Sequence, residues 1–564
     1  IPRQDCLVPI VESEWLPLEV IDLTTPVQRL PVSATLVARL LSLTVAALLA
    51  ACGTEETTVA NSSTGISASQ VSANNANLEL DLSCDTATYP SAALLQCELG
   101  NVARTLEANI EQLMPAFVSR ELQQSATNIQ AVMQRSAQDP SWILPPAFGN
   151  TGLTPLCASG AGPCVGDPFR YPGVNGPDGD IFYTQQAEVL PVVYYDQGCA
   201  RISGQVWKPR NTGNRKLPAV IIKNGSVQAN EALYWWAAQE LVRAGYMVLT
   251  NDPRGQGLSD FATPTGEQGG NINGAVFFEG LVNDIDFLMS SPSKPYPHEL
   301  SCKGTYPTVT QAFNPFHQQL DETRIGAAGH SYGAAGVTWV QSYGAEDSEP
   351  WPGLLSKTNP LKAIVAWDAL GSRNTPASAT LTSLLSTQTV TGTLPVGTLI
   401  NPEGAPPVSP RVPALGFTSE YGFTPAPFVR NTPREEHLAG FKDWVAAGVP
   451  VYNITIAGST HLDYSPGPAL PASSWCPKTD NNACEGGWAK PMITHYTLAW
   501  FDRFLKKPGE QGYDDADLRL LDDAQWAERM SFHFASARRF KTRDGQLFFS
   551  EDIRMQYPKK SSTL

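Results

Sequence analysis

The sequence predicts an α/β protein whose core is a mostly parallel sheet covered by helices on both faces. Three observations carry this. From about residue 180 onward, short apolar runs alternate with helix-like stretches, as right-handed helical crossovers between parallel strands require. The runs themselves, such as 218–223 (PAVIIK) and 246–250 (YMVLT), are largely apolar instead of alternating, the mark of strands buried on both sides. One run, 324–328, leads straight into Gly329-His330-Ser331-Tyr332-Gly333 and then into a stretch rich in small residues.

Composition agrees with a globular chain. Of 564 residues, 39 are Lys or Arg and 54 are Asp or Glu, a formal net charge of −15 with no basic run. Nucleic acid and anionic membrane are thereby excluded as electrostatic partners. Charged residues are 16%, below the roughly 25% of average usage, and 45 Gly with 46 Pro indicate many loops. With 42% apolar residues and 13 Trp, disorder, collagen, coiled coil and a polytopic membrane protein are excluded as well. Length alone sets a prior of about three to four domains.

At the N-terminus, Arg39 precedes twelve apolar or small residues, 40–51, followed by Cys52-Gly53. The run is far short of the ~20 residues of a membrane span and has the length of a signal-peptide apolar core. Leu49-Ala50-Ala51-Cys52 resembles a bacterial lipobox, which implies cleavage before Cys52 and lipidation of that thiol. The signal peptide is placed at 32–51 and a Ser/Thr/Asn/Ala-rich flexible tether at 52–76. Residues 1–31, with Cys6, are a doubtful leader and stay outside the fold argument. The expected location is the bacterial cell envelope, periplasmic or extracellular, with membrane contact only through the lipid anchor.

Ten cysteines in an acidic, Gly/Pro-rich chain indicate an oxidising compartment. Without Cys6 and Cys52, proximity favours Cys84 with Cys97, Cys157 with Cys164 and Cys476 with Cys484, which leaves Cys199 with Cys302. No Cys/His quartet has zinc spacing, so no metal site is expected.

The elements follow in order. Residues 77–179 form an N-terminal segment: 89–136 carries Leu106, Ile110, Leu113, Met114 and Phe117 at helical spacing, and 139–180 is a Pro/Gly loop with two Cys. Strands are expected at 200–208, 218–223 and 246–250, with a helix at 231–244 between the last two. Then come a helix at 276–289, a strand at 324–328, a helix from Tyr332, and strands at 363–367 and 413–418. A helix at 435–447, a strand at 450–457 and a helix at 491–506 close the series. Residues 370–410, rich in Ser, Thr, Pro and Gly, are either a lid over an acyl pocket or a surface excursion. Residues 509–564 form a small C-terminal appendage with a hairpin around Arg543-Asp544-Gly545.

Gly329-His330-Ser331-Tyr332-Gly333 is G-x-S-x-G between a strand and a helix. Chemistry there needs a sharp turn that exposes the Ser331 hydroxyl, and small neighbours that let the backbone pass. A serine needs a base that follows late in the chain, and of seven histidines only His461 lies just past a late strand. The carboxylate that orients the imidazole is either Asp368 or Glu420, each at the carboxyl end of an expected strand; Asp463 is too near His461 in sequence. Two backbone N–H groups must receive the oxyanion: that of Tyr332, and one after PAVIIK at Ser226 or Gly225. Asp252 and Arg254 read as a pair bracing the following loop.

With these residues in view, 180–508 resembles an α/β-hydrolase. It is similar to the lipase, cutinase and poly(ethylene terephthalate) hydrolase group in Tyr234-Trp235-Trp236, in Gly245-Tyr246-Met247-Val248 and in the Ser331 turn. It resembles platelet-activating factor acetylhydrolases in Gly329-His330-Ser331, Trp367-Asp368-Ala369 and Ser419-Glu420-Tyr421, and in the run from Ile454 to Gly458-Ser459-Thr460-His461. The acetylhydrolase pattern places the acid on Asp368; the polyester hydrolase pattern lands on Gly422, with Glu420 two residues early. Asp368 is preferred and Glu420 kept as alternate. The resemblance implies an exported serine hydrolase acting on a small-molecule, lipid or polymeric carboxylic ester, with no cofactor. The competing readings are a prolyl-peptidase-like serine peptidase and a non-catalytic binding protein on the same fold.

Overall fold

A computed structural model of the chain describes residues 91–97, 99–100, 137–141, 182–226, 231–269, 273–373, 404–420, 433–465 and 489–557. All belong to one compact unit, Ala68–Leu564. The expected signal peptide, Cys52, the tether, most of 77–179 and all but the ends of 370–410 lie outside the described residues, as do the cysteine pairs 157/164 and 476/484. Cys97 is described and disulfide-bonded, and its expected partner Cys84 lies outside.

The strands are β1 (Ala187–Tyr195), β2 (Arg201–Pro209), β3 (Leu217–Lys223), β4 (Met247–Asn251) and β5 (Leu320–His330). They continue with β6 (Leu361–Trp367), β7 (Ala414–Ser419), β8 (Val451–Ile456), β9 (Ala537–Lys541) and β10 (Leu547–Ser550). These ten strands of the described residues join one sheet in the order β1-β2-β4-β3-β5-β6-β7-β8-β9-β10. The six central strands run parallel, and an antiparallel pair closes each side.

The helices are α1 (Trp235–Arg243), α2 (Ala275–Met289), α3 (Pro297–Cys302), α4 (Tyr332–Ser342), α5 (Ala439–Ala446), α6 (Lys490–Leu505) and α7 (Ala516–Leu521). Side chains along each strand point to alternate faces, so one apolar run serves two cores. In β3, Ala219 and Ile221 pack into the core under α2 and α4, whereas Val220 and Ile222 pack into the one under α1 and α6. The same division separates Ile364 from Val365 in β6. A polar substitution at either parity would strand an unpaired group in a core, at a cost of about 1–3 kcal/mol. Helices on both faces of a mostly parallel sheet, with a strand-to-helix serine turn at β5–α4, give the α/β-hydrolase fold expected from the sequence.

Two features depart from expectation. Strand β1 has no counterpart in the sequence reading, because its burial is uneven and Pro191 interrupts it; as an edge strand it can spare that N–H. Residues beyond α6 are not set apart as an appendage, since β9 pairs with β8 and the hairpin lengthens the main sheet. Cys199 and Cys302 form the expected disulfide, tying the β1–β2 turn to α3.

The parallel crossovers bring the carboxyl ends of β3, β5, β6, β7 and β8 to one edge of the sheet, where ligands bind in open α/β folds.

Candidate active site

Ser331 sits between β5 and α4 with φ 56° and ψ −119°, a conformation that L residues rarely adopt. Its strain is sustained by surroundings that leave the chain no other path. A Cβ on Gly329 would meet the Gly333 carbonyl oxygen at 2.1 Å, and one on Gly333 would meet the Lys223 and Asn224 carbonyl oxygens at 2.3 and 2.4 Å. The two glycines of the motif thus let α4 start directly against the end of β3. The Ser331 N–H donates to the Trp367 carbonyl at 3.0 Å, which fastens the turn to β6.

Asp368 follows β6, also with positive φ (58°), and its N–H donates to the Phe417 carbonyl at 3.1 Å. Its Oδ2 stands 2.5 Å from Nδ1 of His461. Ser419, the last residue of β7, donates to the same carboxylate from its N–H (2.8 Å, to Oδ1) and its hydroxyl (2.7 Å, to Oδ2). Burial alone pushes the Asp368 carboxyl up, but His461 and the two Ser419 donors outweigh it and hold it below the ordinary carboxylate value. Asp368 is 1% exposed and His461 3%, so the pair is screened little by water.

Of the two carboxylates that the sequence leaves open, the geometry pairs Asp368 with the imidazole. Glu420 is turned to other work: Oε2 accepts the Gly458 N–H at 2.6 Å and Oε1 accepts the Ser531 hydroxyl. It braces the turn Gly458-Ser459-Thr460-His461 from below. Asp463 braces the turn from the other side, its Oδ2 accepting the Thr460 N–H at 2.5 Å and the Thr460 hydroxyl at 3.0 Å. The C-terminal segment reaches the same place, where Ala457 N–H donates to the Arg529 carbonyl at 2.9 Å.

On the opposite side, the chain after β3 passes Ser331 so closely that a Cβ on Gly225 would meet the Ser331 Cβ at 3.2 Å. The Gly225 N–H is committed to the Tyr234 hydroxyl at 2.8 Å, and its carbonyl accepts the Gln256 amide at 3.1 Å. Gly225, one of the two residues expected there as an oxyanion donor, thus has its N–H spent on a side chain. Tyr332 opens α4, and the N–H groups of Ala334 and Ala335 in its first turn donate to the Ser331 carbonyl at 3.0 and 3.2 Å. The Asp252/Arg254 loop is braced, but by other partners than each other: Asp252 accepts from the N–H groups of Glu231 and Leu258, and Arg254 pairs with Asp196 and Glu267 at 2.8 and 2.7 Å.

Ser531 has no part in the sequence reading, and Ser419 and Tyr234 enter it only inside the motifs Ser419-Glu420-Tyr421 and Tyr234-Trp235-Trp236, with no role of their own. Each acts across a long stretch of chain, with no local pattern to mark it. The arrangement brings together parts that nucleophilic acyl chemistry uses: a buried serine in a strained strand-to-helix turn, and an imidazole paired with a carboxylate held below its ordinary pKa.

No protein-family model and no curated protein sequence matches the chain. Among solved structures it is similar to fungal esterases from Rhizomucor miehei, at 13% identity over 57% of this chain and 84% of that one, with a TM-score of 0.33. An acylaminoacyl peptidase from Pyrococcus horikoshii is 14% identical over 60% of this chain and 45% of that one, with a TM-score of 0.35. The chain therefore spans less than half the length of the peptidase. At such identities the α/β-hydrolase fold rests on the strand order and the Ser331 turn themselves.

Proposed function

We propose that the chain is a serine hydrolase that cleaves carboxylic esters through an acyl-enzyme. The observation that carries this is the 2.5 Å contact between Asp368 and His461 Nδ1, beside a serine held at positive φ. In this reading Ser331 Oγ attacks the ester carbonyl carbon while its proton passes to His461 Nε2. Asp368 stays ionised and stabilises the imidazolium, and the oxyanion is received by the N–H groups of Ser226 and Tyr332. Collapse of the tetrahedral species breaks the C–O bond, and His461 returns the proton to the departing alcohol. Water then attacks the acyl-serine by the same route, releasing the acid and restoring Ser331.

The substrate is a small-molecule, lipid or polymeric ester, and the chain works outside the cytoplasm, anchored by lipid at Cys52. The lipobox-like Leu49-Ala50-Ala51-Cys52 supports the anchor, and the Cys199–Cys302 disulfide is consistent with an oxidising compartment. Short-chain p-nitrophenyl esters and N-acyl peptide anilides, offered side by side, test the reaction class. The esters are expected to turn over and Ser331→Ala to lose that turnover by several orders of magnitude. Turnover of the anilides alone would favour the peptidase reading, and turnover of neither would leave a binding protein.

A further inference from the structure

His330, the residue before the serine, is spent on neither nucleophile nor base, yet it is 2% exposed and bonded at both ring nitrogens. Nε2 lies 2.8 Å from the His461 carbonyl oxygen, and Nδ1 lies 2.8 Å from the Tyr234 hydroxyl. The direction of each bond follows from what the atoms can do. A carbonyl only accepts, so Nε2 carries the proton. The Tyr234 oxygen accepts from the Gly225 N–H, which can only donate, and its own hydrogen is then free for the bare Nδ1. One directed chain runs Gly225 N–H to Tyr234 O, Tyr234 O–H to His330 Nδ1, and His330 Nε2–H to His461 carbonyl.

This chain joins three parts of the candidate site that meet nowhere in sequence: the oxyanion loop at Gly225, the turn at His330-Ser331 and the turn that bears His461. The groups facing the His330 ring are Tyr234, His461, Asp368 and Tyr464, with its ring centroid 4.6 Å from that of His461 and 5.6 Å from that of Tyr464. An uncharged neighbour matters at that distance, because a cation beside His461 would oppose the imidazolium formed during catalysis.

We propose that His330 is a positioning residue, fixed as the neutral Nε2–H tautomer between Tyr234 and the His461 carbonyl, which aligns the base and the oxyanion loop on Ser331. The proposal rests on the serine-hydrolase reading. Burial of the ring, with His461 next to it, also keeps its pKa well below the ordinary histidine value.

Two substitutions separate the two bonds. In His330→Gln the amide nitrogen takes the place of Nε2 and keeps the donor to the His461 carbonyl. In His330→Asn the amide oxygen takes the place of Nδ1 and keeps only the Tyr234 bond. The expectation is a kcat loss of about 100-fold for His330→Asn against less than about 10-fold for His330→Gln, with KM for a p-nitrophenyl ester within about 2-fold in both. Tyr234→Phe, which takes the partner from Nδ1 and leaves the donor to the His461 carbonyl, should resemble His330→Gln. Wild-type kcat in His330→Asn, or a loss in His330→Gln as large as in His330→Asn, would overturn the proposal.

A second measurement does not depend on activity or on the variants folding. In wild-type protein labelled with ¹⁵N-histidine, the His330 signals should show a protonated Nε2 and a bare Nδ1, unchanged between about pH 5.5 and 9. A proton on Nδ1, or titration within that range, would overturn the proposal. Were Ser331→Ala to hydrolyse esters as wild type does, the hydrolase reading would fall, and the nitrogen signals would still decide the tautomer.

Discussion

Asp368 and His461, 93 residues apart in the chain, meet at 2.5 Å because β6 and β8 end on the same edge of the sheet with β7 between them. β7 does more than separate them. Its last residue, Ser419, gives two donors to the Asp368 carboxylate, so the acid is fixed from the strand beside it while its remaining strength is turned on the imidazole.

Replacing Asp368 by Asn keeps the shape and removes the charge. The amide can present N–H to Nδ1 and enforce the wrong imidazole tautomer, so kcat is expected to fall on the order of 10³- to 10⁴-fold. The effect on stability has a definite sign. The folded pKa of Asp368 is depressed below its ordinary value of 3.8, so the carboxylate contributes stability above about pH 4 that is lost as pH falls through the folded value. Chemical denaturation at pH 7 and at pH 3 should show a smaller gap between wild type and Asp368→Asn at the second than at the first. A gap that widened toward acid would contradict the assignment.

Glu420 gives the complementary test. Its two oxygens hold the Gly458 N–H and the Ser531 hydroxyl, so Glu420→Gln, which keeps one acceptor, should cost less than about 10-fold in kcat/KM. Glu420→Ala leaves the buried Gly458 N–H without its acceptor and should destabilise the protein by about 1–3 kcal/mol, read by thermal or urea unfolding. A loss of 10³-fold or more in Glu420→Gln, beside an active Asp368→Asn, would reverse the roles of the two carboxylates.

The Cys199–Cys302 bridge spans a sequence separation of 103 and lies away from the serine turn. Its removal by a Cys199→Ser, Cys302→Ser double substitution is expected to lower stability by about 2–5 kcal/mol, measured by denaturant titration. Because the bridge fastens the β1–β2 turn to α3 and touches none of the residues at the carboxyl ends of β5 to β8, kcat/KM at low temperature should stay near wild type. Equal stability with and without the bridge would refute its structural role.

Much of this was legible in the residues. Strands β3 to β8 announce themselves because both faces are buried, which leaves runs such as PAVIIK with no solvent side to satisfy. Ser331 and His461 stand out because their surroundings in the chain are distinctive: glycines on either side of the serine, a late strand before the histidine. The edges were harder. β1 carries Pro191 and partly exposed residues, and β9 (ARRFK) puts Arg538 into a buried position that reads as surface until its partner Asp523 is known. The choice between Asp368 and Glu420 was open in sequence because both end neighbouring parallel strands; side-chain direction at the sheet edge decides it. Nor does anything local connect Tyr234 with His330, 96 residues on.

The most direct test of the central claim is covalent labelling of the intact chain by a fluorophosphonate, followed by mass mapping of the adduct. The account predicts one stoichiometric adduct on the peptide that holds Gly329-His330-Ser331, absent in Ser331→Ala and slowed by several orders of magnitude in His461→Ala. Absence of labelling in folded wild-type protein, or an adduct on another serine that persists in Ser331→Ala, would contradict it.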